Sequence, residues 1–181
     1  MPLAGYPASR HSKEHRMKKW LALLVLAAPV GAFAADATPD ASFYKHAAEA
    51  GISEVAAGTL AGQKGNSQAV KDFGAMMVKD HGEANDKLKA LAASKNISLP
   101  SSGSIGEIAE KGKLEMLSGD TFDKSYIKGQ IKDHQAAVVL FKKESVSGQD
   151  PDAKAFAAAT LPTLRGHLKK IKQIAADAGV A

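Results

Sequence analysis

Cysteine is absent from the 181 residues. That excludes a disulfide framework, a lipid anchor on a cysteine, and every thiolate nucleophile or thiolate metal site. Also missing are a Gly-x-Ser-x-Gly elbow, a phosphate-cradling glycine loop and a His-Glu-x-x-His pair, so the sequence has no local support for Ser-His-Asp catalysis. Strand-like alternation is scarce. The longest apolar run, Trp20 to Val30, is broken at Pro29 and falls short of the roughly 20 residues a membrane-spanning helix needs. Chemistry is left to histidine, carboxylates and hydroxyls.

That apolar run has a different use. Lys18 and Lys19 precede it and Ala32-Phe33-Ala34 follows it, the charged, apolar, small-residue order of a secretory signal peptide. Residues 17–34 are therefore read as a cleaved leader, with Met17 as the true start. Residues 1–16, without apolar periodicity, lie upstream of it. The expected location is periplasmic or secreted. Residues 35–40 form a polar linker, and 41–178 a single domain large enough for a core. Cleavage removes five of the 24 basic residues and one of the 19 acidic ones. The pI near 9.3 then belongs to the leader, and the basic footprint of a nucleic-acid binder is absent.

Within the domain, apolar residues recur at helical spacing. Phe43, Tyr44, Ala47, Ala48 and Ile52 mark a helix over 40–64, which Gly65-Asn66-Ser67 closes. Val70, Phe73, Met77, Ala84, Leu88 and Leu91 mark a second over 67–95. A loop with Leu99-Pro100 and Gly103 leads to a short helix at 105–117. Phe122, Tyr126, Ile127, Ile131, Val138 and Phe141 mark a helix over 120–147, and Phe156, Leu161, Leu164, Leu168, Ile171 and Ile174 one over 151–178. Asp150 caps that last helix with Pro151 at its first position, and Pro162 is expected to kink or divide it. The fold class is all-α, a ferritin-like four-helix bundle with a long crossover between the second and third long helices.

Three histidines fall on the wrong face for a surface residue. At 100° per residue His81, His134 and His167 each lie in an apolar stripe, Glu54 lies on the inner flank of the first helix, and His46 faces water. Glu54 and His81 stand about 17 and 23 Å from the first turn, and His134 and His167 about 22 and 27 Å from the Gly148 turn. The four are thus at similar levels. Imidazoles and one carboxylate suit zinc, copper, nickel or mononuclear iron and do not suit magnesium or calcium. Asp123, Gln130, Tyr126, Asn85 and Thr160 are candidate supports for such ligands. The residues three before each histidine are Val78, Ile131 and Leu164, so the Glu-x-x-His pairs of a di-iron bundle are missing. Met76 and Met77 read as core filling, since no Met-x-x-Met series accompanies them.

The motifs in combination resemble a bacterial secreted family, the domain of unknown function numbered 4142, of the ferritin-like superfamily. They are Val70-Lys71-Asp72-Phe73, Met77-Val78-Lys79-Asp80-His81, Leu117-Ser118-Gly119, Phe122-Asp123-x-x-Tyr126, Asp133-His134 and Leu161-Pro162-Thr163-Leu164-x-x-His167-Leu168. The resemblance spans roughly residues 41–175 and implies the bundle fold and an envelope location. It supplies no function. The leading reading is a non-enzymatic binding or envelope-stress protein, monomeric, with no nucleic-acid partner and one transition metal ion (Zn, Cu or Fe) on His81, His134, His167 and Glu54. A redox or oxygen-handling metalloenzyme using the same residues is one alternative. A structural or interaction module with hydrogen-bonded core histidines is another.

Overall fold

Three of the five helices begin at a side chain that accepts from an otherwise unpaired backbone amide. Ser67 accepts from the Val70 amide to open α2 (Gln68–Ser94), and Ser104 and Glu107 form a reciprocal capping box on α3 (Ile105–Glu115). Asp150 accepts from the Asp152 amide, and Pro151 starts α5 (Pro151–Asp177). The two remaining helices are α1 (Ala41–Lys64) and α4 (Gly119–Ser147). The structure, a computed structural model, describes residues 40–180. The leader and all but the last residue of the linker lie outside the described residues. Among the described residues there is no strand, and no helix is long and apolar enough to cross a membrane.

The helix bounds match those expected from periodicity to within two residues, with one correction. Pro162 does not divide α5, which runs unbroken through it. The bond forfeited is the one to the carbonyl of Ala158, and both residues are exposed, so water can serve that oxygen.

The four long helices pack as two antiparallel hairpins, α1 with α2 and α4 with α5. The first hairpin is closed by glycine. A Cβ on Gly58 would lie 2.6 Å from the Gly74 carbonyl oxygen, and one on Gly74 would lie 2.6 Å from that of Gly58. The two backbones therefore approach to a distance that side chains would forbid.

Two carboxylates join the hairpins end to end. Asp123, early in α4, takes the Asn66 and Ser67 amides of the α1–α2 turn, each at 2.8 Å. Asp40, just before α1, takes the Gln149 and Asp150 amides of the α4–α5 turn, each at 2.7 Å. Lys95, at the end of α2, pairs with Asp150 and Asp152. The end of α2 and the start of α4 are thus at opposite ends of the molecule, and residues 95–118 must run its length.

The core separates into two apolar clusters. One, toward Gly148, is built on Phe43, Tyr44, Leu88, Phe141, Phe156 and Leu164. The other, toward Gly65, is built on Phe73, Met77, Phe122, Tyr126, Ile127 and Ile171. Along every long helix a polar residue stands between the two: Glu54, His81, His134 and His167, all buried. A polar layer crosses the middle of an otherwise apolar interior.

Candidate metal centre

The layer is built by register. His81 follows Met77 by one turn and precedes Leu88 by two, and His134 and His167 hold the same place in α4 and α5. Each imidazole is therefore driven inward by its apolar neighbours. The ring centroids form a nearly equilateral triangle, with His81 to His134 at 5.6 Å and the other two edges at 5.4 Å. One ligand nitrogen from each lies within 4.8 Å of the other two. Phe73 meets the rings of His134 and His167 edge-on from the Gly65 side.

Two of the rings are fixed in orientation by their outer nitrogens. His134 Nδ1 donates to the Gln130 carbonyl oxygen at 3.0 Å, and His167 Nε2 donates to Asp80 Oδ2 at 2.9 Å. In His134 the proton on the outer nitrogen leaves the inner one as a lone pair. His81 Nε2, His134 Nε2 and His167 Nδ1 are buried without a hydrogen-bond partner among the described residues. Burial, with the neighbouring histidines, lowers His81 to a pKa of about 3 and His134 to about 4. At neutral pH these two are uncharged. Three buried ring nitrogens without a partner, on imidazoles this close together, are unusual in a folded interior, where such atoms are nearly always paired.

Glu54, expected as the fourth ligand, stands beside the triangle. Its Oε1 is 3.5 Å from His134 Nδ1, the outer nitrogen, and its Oε2 accepts from Gln130 Nε2 at 2.7 Å. Burial raises it to a pKa of about 8, against the lowering effect of the Gln130 bond, so Glu54 and His134 meet as neutral groups. Of the other expected supports, Gln130 reaches the layer, through its carbonyl to His134 and its side chain to Glu54, whereas the Tyr126 hydroxyl is buried without a hydrogen-bond partner among the described residues. Asp123 does not reach the histidines. It has the right helical angle, but it lies eleven residues from His134, about 16 Å along α4, and its carboxylate is spent on the α1–α2 turn. Asn85 lies against the backbone of Gly51, and Thr160 donates to the Phe156 carbonyl. His46 is exposed, as expected.

Asp80 is a residue of the layer that the helical angles did not single out. It is half-buried, and although burial works to raise its pKa, the hydrogen bonds from His167 and Lys79 outweigh that and lower it. Its partner is on another hairpin, so no spacing rule points to it. The repeated Asp-His dipeptide, Asp80-His81 and Asp133-His134, was the available signal, and it misleads. Asp80 serves His167 rather than the histidine that follows it.

The family described as Domain of unknown function (DUF4142) matches residues 26–174. No curated protein matches the chain in sequence. Among solved structures, a DUF305 fragment from Deinococcus radiodurans aligns with a TM-score of 0.66 and 14% identity, over 75% of this chain and 93% of its own. CopM in its Cu(I)-bound form aligns with a TM-score of 0.64 and 17% identity, over 77% of this chain and 96% of its own. At such identities the likeness is one of fold.

Proposed function

The chain belongs to the DUF4142 family, whose description assigns no activity, and from its core geometry we propose that it is an exported metal-binding protein holding one transition ion on His81, His134 and His167. The observation that carries this reading is the trio of buried histidines, each offering one ligand nitrogen within 4.8 Å of the other two and each with one ring nitrogen that lacks a hydrogen-bond partner among the described residues. Three imidazoles on a metal with bonds near 2.0 Å put their nitrogens about 3.5 Å apart in a trigonal array. The rings need to move inward by about 1 Å at most to meet that spacing.

Imidazole suits zinc and copper. The likeness to CopM, a protein described with Cu(I) bound, makes copper the first ion to test and zinc the second. Glu54 takes a flanking place beside His134, and Asp80 orients His167. The arrangement of the hairpins, with residues 95–118 crossing between α2 and α4, supports a ferritin-like four-helix bundle, and the signal-peptide pattern of residues 17–34 supports export to the periplasm.

Metal-stripped protein should take up one equivalent of Cu(I) or Zn(II), measured by elemental analysis after gel filtration. At ion concentrations a hundredfold above Kd the melting temperature should rise by about 5–10 °C. His134→Ala should abolish both effects. Metal at background level with unchanged melting would overturn the assignment.

A further inference from the structure

The three histidines of the layer are not held alike. The Gln130 carbonyl anchors His134 Nδ1, and Asp80 anchors His167 Nε2. Neither ring nitrogen of His81 has a hydrogen-bond partner among the described residues, and its Nε2 is buried in that state. Turning His134 or His167 aside therefore breaks a hydrogen bond. Turning His81 breaks none, so only the packing around its ring keeps it in place.

The same histidine stands nearest to solvent. A groove of about 1020 Å³, half open to solvent, runs beneath α3 between α1 and α4. Of the three rings His81 alone lines it, and His81 is the most exposed of them, at 8% against 3% for His167 and 0% for His134. Phe73 covers His134 and His167 from the Gly65 side. The groove wall carries both signs of charge, with Glu107, Glu110 and Asp133 beside Lys111, Lys113 and Lys132. Charges of mixed sign let a cation pass without trapping it, and among the described residues the histidines form the only group of three such ligands.

We propose that His81 is the exchanging ligand of the layer and that the groove beneath α3 is the route by which the ion comes and goes. The ring of His81 turns aside into the groove and admits the ion to His134 and His167, whose outer hydrogen bonds keep them aimed. It then closes as the third ligand, so His81 is the last to bind and the first to leave. The proposal rests on the metal reading of the layer and adds to it a route and an order of ligand binding.

The first test needs neither metal nor variant. In metal-stripped protein treated with diethyl pyrocarbonate and mapped by mass spectrometry, His81 should be carbethoxylated faster than His134 and His167, with exposed His46 as the reference. The second test measures exchange, as uptake of Cu(I) or Zn(II) and its release to a chromophoric chelator. Gly129 lines the groove, and a Cβ there meets nothing within 4 Å. Gly129→Phe favours the helix and narrows the route, so uptake and release should both slow about tenfold. Because the two rates fall together, Kd should stay as in the wild type. Gly166 has the same open surroundings but lies outside the groove, so Gly166→Phe should exchange at the wild-type rate. His81 reacting no faster than the other two histidines, or wild-type exchange rates in a folded Gly129→Phe, overturns this proposal and leaves the metal reading standing. No metal on the wild-type protein overturns the metal reading and the route with it.

Discussion

A buried histidine has two nitrogens, and what becomes of each determines its chemistry. In His134 and His167 the outer nitrogen is held by an oxygen from Gln130 or Asp80, and the inner one is left without a partner among the described residues. Asp80 acts through His167 and touches no other histidine of the layer by hydrogen bond. Removing a carboxylate that orients a ligating imidazole lowers metal affinity by about 10–100-fold, so Asp80→Ala should do so in a competitive chelator titration. Asp80→Asn retains an oxygen acceptor at the same place and should recover most of the loss. Equal affinity in wild type and Asp80→Ala would show that His167 needs no orienting partner. Asp123→Ala is the contrasting case. It strips two backbone amides of their acceptor and should cost about 2 kcal/mol of stability in urea, with metal affinity unchanged.

Helices meet at distances set by what projects between them, and α1 and α2 meet on glycine. Gly74→Ala adds helix propensity worth about 1 kcal/mol. The new Cβ would fall 2.6 Å from the Gly58 carbonyl and 2.7 Å from the Ala61 side chain, contacts that force the helices apart and typically cost about 1–3 kcal/mol. Net destabilisation of roughly 1 kcal/mol is expected, read as a lower urea midpoint. Gly82 is in the same helix with nothing within 4 Å, so Gly82→Ala should stabilise by about 0.5–1 kcal/mol. If both changes moved stability the same way, close approach of the two helices would not be what Gly74 provides.

At the scale of the molecule, the two hairpins are held at one end by a cluster of acids. Glu144 at the end of α4 faces Asp40 before α1 and Asp150 at the start of α5, with Lys143 the nearby cation. Burial first, then these carboxylates, raise Glu144 from 4.5 to about 7. The folded chain thus holds a proton that the unfolded chain releases between those values. Its stabilising effect is full below pH 4.5 and is lost as the pH rises through about 7. Glu144→Gln should melt higher than wild type at pH 8, and the difference should vanish near pH 4, in calorimetry of metal-free protein. A difference independent of pH would mean that folding leaves the proton affinity of Glu144 unchanged.

Much of this was determined by the sequence alone. Apolar spacing places the helices to within two residues because each long helix must bury one stripe, and caps such as Ser67 and Asp150-Pro151 act within a few residues of themselves. The inward aim of His81, His134 and His167 follows from the same angular rule. Angle did not suffice for Asp123, whose height along α4 assigns it to a turn, nor did spacing predict the unbroken course of α5 through Pro162. Only the tertiary structure decided which side chains meet across hairpins: Asp80 with His167, Asp40 with the Gly148 turn, and Glu54 beside rather than within the triangle. Those contacts depend on the offset of one helix against another, which close packing at Gly58 and Gly74 and the two carboxylate latches set, and no local pattern along the chain encodes that offset.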